Sequence, residues 1–163
     1  VMVIAEALGF PERGRVLNDQ LRARMERVED RVAGAPRPGV VALEWLDPPC
    51  SAGDWTPAFV RRAGGHELLG REDRPSFVLN WQQIGAAQPD VLLLMPWGYS
   101  TESARRTWFS LKRPAWWNAL PAVRNGRVHI LDARAASLRP APRVVDLVEQ
   151  VARLLHPHCF RRS

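Results

Sequence analysis

The sequence predicts an α/β fold in which a mainly parallel sheet is wrapped by helices. Two observations carry that prediction. The runs at 40–46 and 91–95 are almost wholly apolar, the composition of strands buried on both faces. They alternate along the chain with amphipathic, helix-like phrases, which is the order of βαβ units. With 163 residues, 46% apolar and 25% charged, there is material for one domain with a substantial core and too little for two full ones.

Residues 1–8 read as a short helical piece stopped by Gly9, and Pro11 suits the first position of a new helix. From there Val16, Leu17, Gln20, Leu21, Arg24, Met25, Val28 and Val32 recur at three- and four-residue spacing. That stripe predicts one long amphipathic helix of about six turns, ending at Gly34. The APRPG segment at 35–39 stops it. A strand at 40–46 follows, with a single charge, and then a proline-rich loop at 47–55. A helix is expected over 57–63 before Gly64 and Gly65, a short strand at 66–69, and a polar loop at 71–76. The helix at 81–87 has its capping asparagine, Asn80, just before it. Next come the clearest strand, at 91–95, a loop at 96–100, a helix at 101–111 and a turn bearing Trp116 and Trp117. A strand at 127–131 leads to a last helix from near Pro142, with Val144, Val145, Leu147, Val148, Val151, Leu154 and Leu155 on one broad face.

The formal charge is +6 and Lys112 is the only lysine. Arg13, Arg15, Arg22, Arg24 and Arg27 fall among Glu12, Asp19, Glu26, Glu29 and Asp30, the pattern of a solvated helix face rather than a nucleic-acid patch. No nucleic-acid partner is expected. Cys50 and Cys159 match no metal spacing, and the H-P-H pair His156 and His158 is expected at the surface, so no intrinsic metal or other cofactor is expected. His129 is expected in the core or on a sheet face. The chain carries no G-x-S-x-G elbow, phosphate loop or G-x-G-x-x-G fingerprint. No set of acid, base and nucleophile stands out either, and an enzyme is not expected.

Ligands of parallel sheets sit beyond the carboxyl ends of the strands. Three loops are predicted there, at 47–55, 96–100 and 132–142. Trp55, Trp97 and Tyr99 lie close to Gly53 and Gly98, where a missing side chain lets a ligand approach the backbone. Flat rings beside glycine suit a large, partly apolar ligand, and they equally suit a cover over the sheet edge. Trp45, Trp81 and Trp108 are expected in the core.

The segments LEWLDPPCSAGDWTP (43–57), AGGHELLG (63–70), WQQIGAAQPDVLLLMPWGY (81–99), LPAVRNGRVHILD (120–132) and RPAPR (139–143) carry a family resemblance. In order and spacing they resemble the cobalamin and iron-siderophore type of periplasmic substrate-binding proteins that feed ABC importers. The likeness is to the C-terminal lobe. It implies a three-layer, Rossmann-like lobe with a mainly parallel sheet at 36–163, preceded by a helical segment at 1–35 that includes the long inter-lobe helix. A first lobe and an export signal are then expected upstream of Val1. Matched position by position, Asp54, Trp55, Trp97, Gly98, Tyr99 and Arg139 are the implied ligand-binding residues. The implied ligand is cobalamin, a related corrinoid or another metal chelate, held without chemistry and delivered to an ABC permease from the periplasm. Surface left by an absent lobe leaves self-association open. Before R-P-x-P-R this chain has Ala135, Ala136, Ser137 and Leu138, where similar proteins place aromatic and acidic residues. That departure favours a second reading, a transport-inactive interaction or regulatory module that retains the lobe fold.

Overall fold

The computed structural model describes residues 1–132 and 141–161. Its elements run in the order α1 (Met2–Ala7), α2 (Pro11–Val32), β1 (Gly39–Leu46), β2 (Pro49–Ser51), α3 (Thr56–Arg62), β3 (His66–Glu67), α4 (Trp81–Ala87), β4 (Val91–Leu94), α5 (Thr101–Ser110), α6 (Pro121–Arg124), β5 (Val128–Ile130) and α7 (Val144–Leu155). Short 3-10 turns at Trp117–Ala119 and Pro157–Phe160 complete them.

The two apolar runs become adjacent parallel strands. β1 pairs β4 from Val40↔Val91 to Leu43↔Leu94, and β4 pairs β5 from Leu92↔Val128 to Leu94↔Ile130, both parallel. On its other edge β1 meets β3 in parallel at Gly39↔His66 and β2 antiparallel from Leu43↔Ser51 to Leu46↔Pro49. Pleating sends successive side chains to opposite faces even though the runs are continuously apolar. Val40, Ala42, Val91 and Leu93 pack with Val28 and Val32 of α2, Val60 of α3, and Val148 and Val151 of α7. Val41, Leu43, Leu92 and Leu94 pack against Ile84, Trp108, Trp117 and Leu120. The result is the three-layer α/β arrangement with a mainly parallel sheet.

α4 begins in a capping box, in which Asn80 Oδ1 accepts from Gln83 N at 2.9 Å and Gln83 Oε1 accepts from Asn80 N at 2.8 Å. Above it Trp81, Trp108 and Trp117 meet edge to face or tilted, with ring centroids 5.4 to 6.5 Å apart. Arg113 lies over Trp108 at 4.7 Å and closes that cluster. On the opposite layer α2 is tied to α7 by Arg24, which donates to Asp146 at 2.5 Å and to Glu149 at 2.9 Å. Beyond Arg24 the helix buries Val28 and Val32, whereas its first turns leave Val16 exposed, as α1 leaves Val3 and Ile4.

Glu67 closes a gap in the sheet edge between β3 and β2. Its Oε2 accepts the Ala42 N–H at 3.1 Å, and its Oε1 accepts Leu69 N at 3.2 Å and Gly70 N at 3.0 Å. The carboxylate thus supplies the acceptor that a longer edge strand would have offered to β1. Burial outweighs those donors and pushes its pKa up to about 7.

Three expectations are corrected. The 47–55 segment is not a plain loop, because Pro49–Ser51 folds back along β1 and Cys50 bridges Val78. Trp45 is not core. It lies past the last β1–β4 partner, where the neighbouring strand no longer covers it, and is 38% exposed. His156 is not at the surface: it is 1% exposed, its Nε2 3.2 Å from the Gly64 carbonyl, because the end of α7 packs beneath the turn between α3 and β3. His129 on β5 is half-buried, at the sheet as expected. No helix among the described residues is long and apolar enough to cross a membrane.

Candidate functional site

β1 and β4 run parallel and end at the same edge of the sheet, so the segments that follow them, 47–55 and 95–100, emerge side by side. What joins these segments is Glu44, the single charge of β1, which is only 6% exposed. Its Oε1 accepts from Thr56 Oγ1 at 2.6 Å. The Gly53 backbone and the Trp97 side chain lie near enough to this carboxyl to lower its pKa. The main chain adds a further link, from Trp97 N to Glu44 O at 3.1 Å. Burial raises the Glu44 pKa above the usual carboxylate value, polar neighbours, the Thr56 hydroxyl foremost, oppose that, and the nearby charge of Asp54 reinforces it.

In the first segment Gly53 does not face a ligand. A Cβ there would stand 2.5 Å from Pro75 C and 2.8 Å from Arg74 O, so its bare backbone serves close packing with residues 74–76. Asp54 follows with φ 51°, in the left-handed region that asparagine and aspartate tolerate better than most residues, and its N–H donates to Arg74 O at 2.8 Å. The Asp54 side chain is exposed. Trp55 immediately precedes α3 and is half-buried. It lines one wall of an apolar groove of about 710 Å³, with Ile4 and Phe10 at the α1–α2 corner, Leu21 of α2, Phe59 of α3 and Pro142.

In the second segment Trp97 turns its ring outward, 43% exposed. Gly98 takes φ 76° in open space, a turn conformation that a side chain would strain. Tyr99 N closes the turn on Pro96 O at 3.2 Å. The Tyr99 ring meets Trp45 edge to face at 5.5 Å. Ser100 then caps α5 by accepting from Ser103 N at 3.1 Å.

The structure therefore places Asp54, Trp97, Gly98 and Tyr99 on two segments that leave the same sheet edge, with Trp55 opening into the groove. Arg139 lies outside the described residues. Two participants escaped the sequence reading. Trp45 escaped because its continuous apolar surroundings imitate core. Glu44 was legible only as an unexplained charge in a buried strand. Among the described residues no group of three or more His, Cys, Asp and Glu side chains is placed to hold a metal. Cys50 and Cys159 are free thiols, and burial raises the Cys50 pKa. The described side chains offer aromatic faces, apolar walls and a few polar groups, the equipment of recognition.

The family model described as "Periplasmic binding protein" matches residues 1–135. No curated protein matches the chain. Among solved structures, an ABC transporter substrate-binding protein from Listeria monocytogenes is similar with TM-score 0.83 at 19% identity, over 96% of this chain and 62% of that one. The periplasmic heme-binding protein BhuT, solved with two hemes, is similar with TM-score 0.76 at 25% identity, over 97% of this chain and 60% of that one. A protein of an Fe3+-hydroxamate transport system from Saccharomonospora viridis is similar with TM-score 0.76 at 21% identity, over 93% of this chain and 52% of that one. The chain thus spans between about half and three-fifths of the length of these structures.

Proposed function

The chain belongs to the periplasmic binding protein family, and on that premise we propose that it is the ligand-binding lobe of a substrate-binding protein serving an ABC importer. In this reading residues 1–35 supply the connecting helix and residues 36–163 the lobe. The ligand is a metal chelate with a broad, partly apolar body, of the heme, cobalamin or siderophore kind. Its partner is a membrane permease, its place is outside the cytoplasmic membrane, and the protein performs no chemistry on its cargo.

The observation that carries this reading is the shared edge of β1 and β4, where the segments bearing Asp54 and Trp55 and bearing Trp97, Gly98 and Tyr99 emerge side by side and Trp55 opens into an apolar groove. Exposed rings on short, hydrogen-bonded turns give a rigid surface that stacks on a flat ligand at little entropic cost. The BhuT and hydroxamate-system structures carry ligands or names of this chemical kind.

Titration of the full-length natural protein with hemin, cyanocobalamin and a ferric hydroxamate, followed by tryptophan fluorescence, tests the reading. Saturable binding of one of them is expected, weakened about tenfold, or about 1.4 kcal/mol, by Trp55→Ala or Trp97→Ala. Absence of saturable binding for all three, or unchanged affinity in both variants, overturns it.

A further inference from the structure

We infer that Trp45, Cys50 and Val78 form, with Tyr99, a preformed apolar platform that receives the open face of a planar tetrapyrrole, and that Trp45 is its principal contact. The inference deepens the proposed function, resting on that reading for its ligand, by choosing among the chelates named there.

The register of the edge builds the row. In an antiparallel pair, directly opposite residues project from the same face. Trp45 on β1 is opposite Cys50 on β2, and Cys50 is in turn opposite Val78 across an antiparallel bridge. Their side chains therefore stand side by side on adjacent backbone segments, about 10 Å from first to last at the usual strand spacing. Tyr99 extends the row past Trp45, with ring centroids 5.5 Å apart and planes at 89°. Trp45 is 38% exposed and Val78 62%. Cys50, between them, is half-buried and adds a small thiol of apolar character.

Hydrogen bonds hold this row before any ligand arrives. Ser51 N donates to Phe77 O at 2.9 Å, Leu79 N to Pro49 O at 2.7 Å, and Phe77 N to Ser51 Oγ at 3.2 Å. The Trp45 ring is tethered as well, its Nε1 donating to Asp47 O at 3.0 Å. With its one polar atom occupied, the ring offers hydrocarbon to the outside. A surface fixed in this way loses little freedom when a ligand settles on it. Trp45 lies past the last β1–β4 partner, so the row stands at the carboxyl edge of the sheet, where ligands of such folds sit.

The form of the row selects the ligand. Apolar groups in line, wider than one aromatic ring and with no charged side chain among them, match an extended flat π-system. A ferric hydroxamate is round and ringed with oxygens, and meets such a row at one point. In cyanocobalamin both faces of the corrin carry axial ligands, so neither lies open to stacking.

Alkylation of the full-length natural protein with iodoacetamide, followed by mass spectrometry, reads contact with the row through the Cys50 thiol. Saturating hemin is expected to slow Cys50 alkylation about tenfold. Cys159, on the turn after α7, whose end packs beneath the α3–β3 turn at the other edge of the sheet, is expected to react at an unchanged rate. Trp45→Ala is expected to weaken hemin about tenfold and to leave any ferric hydroxamate binding within about twofold. Val78→Asn, at an exposed position, is expected to weaken hemin about threefold and serves where Trp45→Ala does not fold. Hemin affinity unchanged in the folded variants, or Cys50 alkylated at the same rate with hemin bound, overturns the platform. A wild type that binds the ferric hydroxamate or cyanocobalamin but not hemin also overturns it, and leaves the substrate-binding reading standing. A wild type that binds none of them overturns both.

Discussion

Gly53→Ala is expected to be among the more damaging single-methyl changes in the chain, and the reason is spatial rather than conformational. The added Cβ would lie 2.5 Å from Pro75 C, 2.8 Å from Arg74 O and closer still to Ser76 N, all backbone atoms with no rotamer to yield. Ordinary carbon contacts need about 3.5 Å, so the 52–54 and 74–76 segments must part by roughly 1 Å. The bond from Asp54 N to Arg74 O, now 2.8 Å, and that from Ser51 N to Phe77 O, now 2.9 Å, bridge those segments and would stretch. Losing two such bonds at about 1 kcal/mol each, plus about 1 to 2 kcal/mol of overpacking, gives a cost of about 3 to 4 kcal/mol. For a domain of this size that lowers Tm by about 10 °C in a thermal melt followed by circular dichroism. Gly98→Ala is the control, since Gly98 has φ 76° and nothing within 4 Å of its would-be Cβ. It is expected to cost only the conformational penalty of about 1 to 2 kcal/mol. If Gly53→Ala melts within about 2 °C of wild type, or no lower than Gly98→Ala, the crowding argument is wrong.

Two further predictions concern buried titratable groups. Glu67 holds its proton up to about pH 7 when folded, against a usual value of 4.5, so the unfolded chain releases that proton first and stability from this group falls as pH rises from 4.5 to 7. The Tm advantage of wild type over Glu67→Gln is therefore expected to widen between pH 7 and pH 5, and a constant difference would refute the assignment. His156 has the opposite sign. Burial lowers its pKa below the usual 6.5, so its contribution is present above that value and is lost as pH falls further and the buried ring must take up a charge. Loss of the hydrogen bond to Gly64 in His156→Gln is expected to cost about 1 kcal/mol at neutral pH while flattening the acid limb of the stability curve. An acid limb unchanged in that variant would assign the titration elsewhere.

Much of the architecture was legible along the chain. The two apolar runs, the Asn80 cap, the stripe of α2 and the broad face of α7 each express a local rule of periodicity or capping, and each emerged within a few residues of the expected bounds. Where the expectations failed, the failures share a cause. Trp45 sits in an apolar run like its neighbours and differs only in lying beyond the reach of β4. His156 sits in a polar tail and is buried only because α7 carries that tail under α3. The Gly53 backbone is close to a different stretch of backbone, more than 20 residues on, which no local pattern announces.

The candidate site divides the same way. Residue chemistry and spacing singled out Trp55, Trp97, Gly98 and Tyr99, because glycine and aromatic residues clustered after predicted strands are a local signal, and the family resemblance added Asp54. The long helix, the alternation of strands with helices and the resemblance to substrate-binding proteins were likewise properties of order along the chain. Tertiary structure alone decided that Glu44 bonds to Thr56 through its side chain and to Trp97 through its main chain, that Trp45 completes the aromatic edge with Tyr99, and that Trp55 opens into a groove shared with α1 and α2. The physical reason is that hydrophobic periodicity records which face of an element is buried. The partners of a buried polar residue are chosen by the packing of elements distant in sequence, and for Glu44 those partners, the Thr56 hydroxyl and the Trp97 main chain, arrive only once β1 and β4 lie side by side.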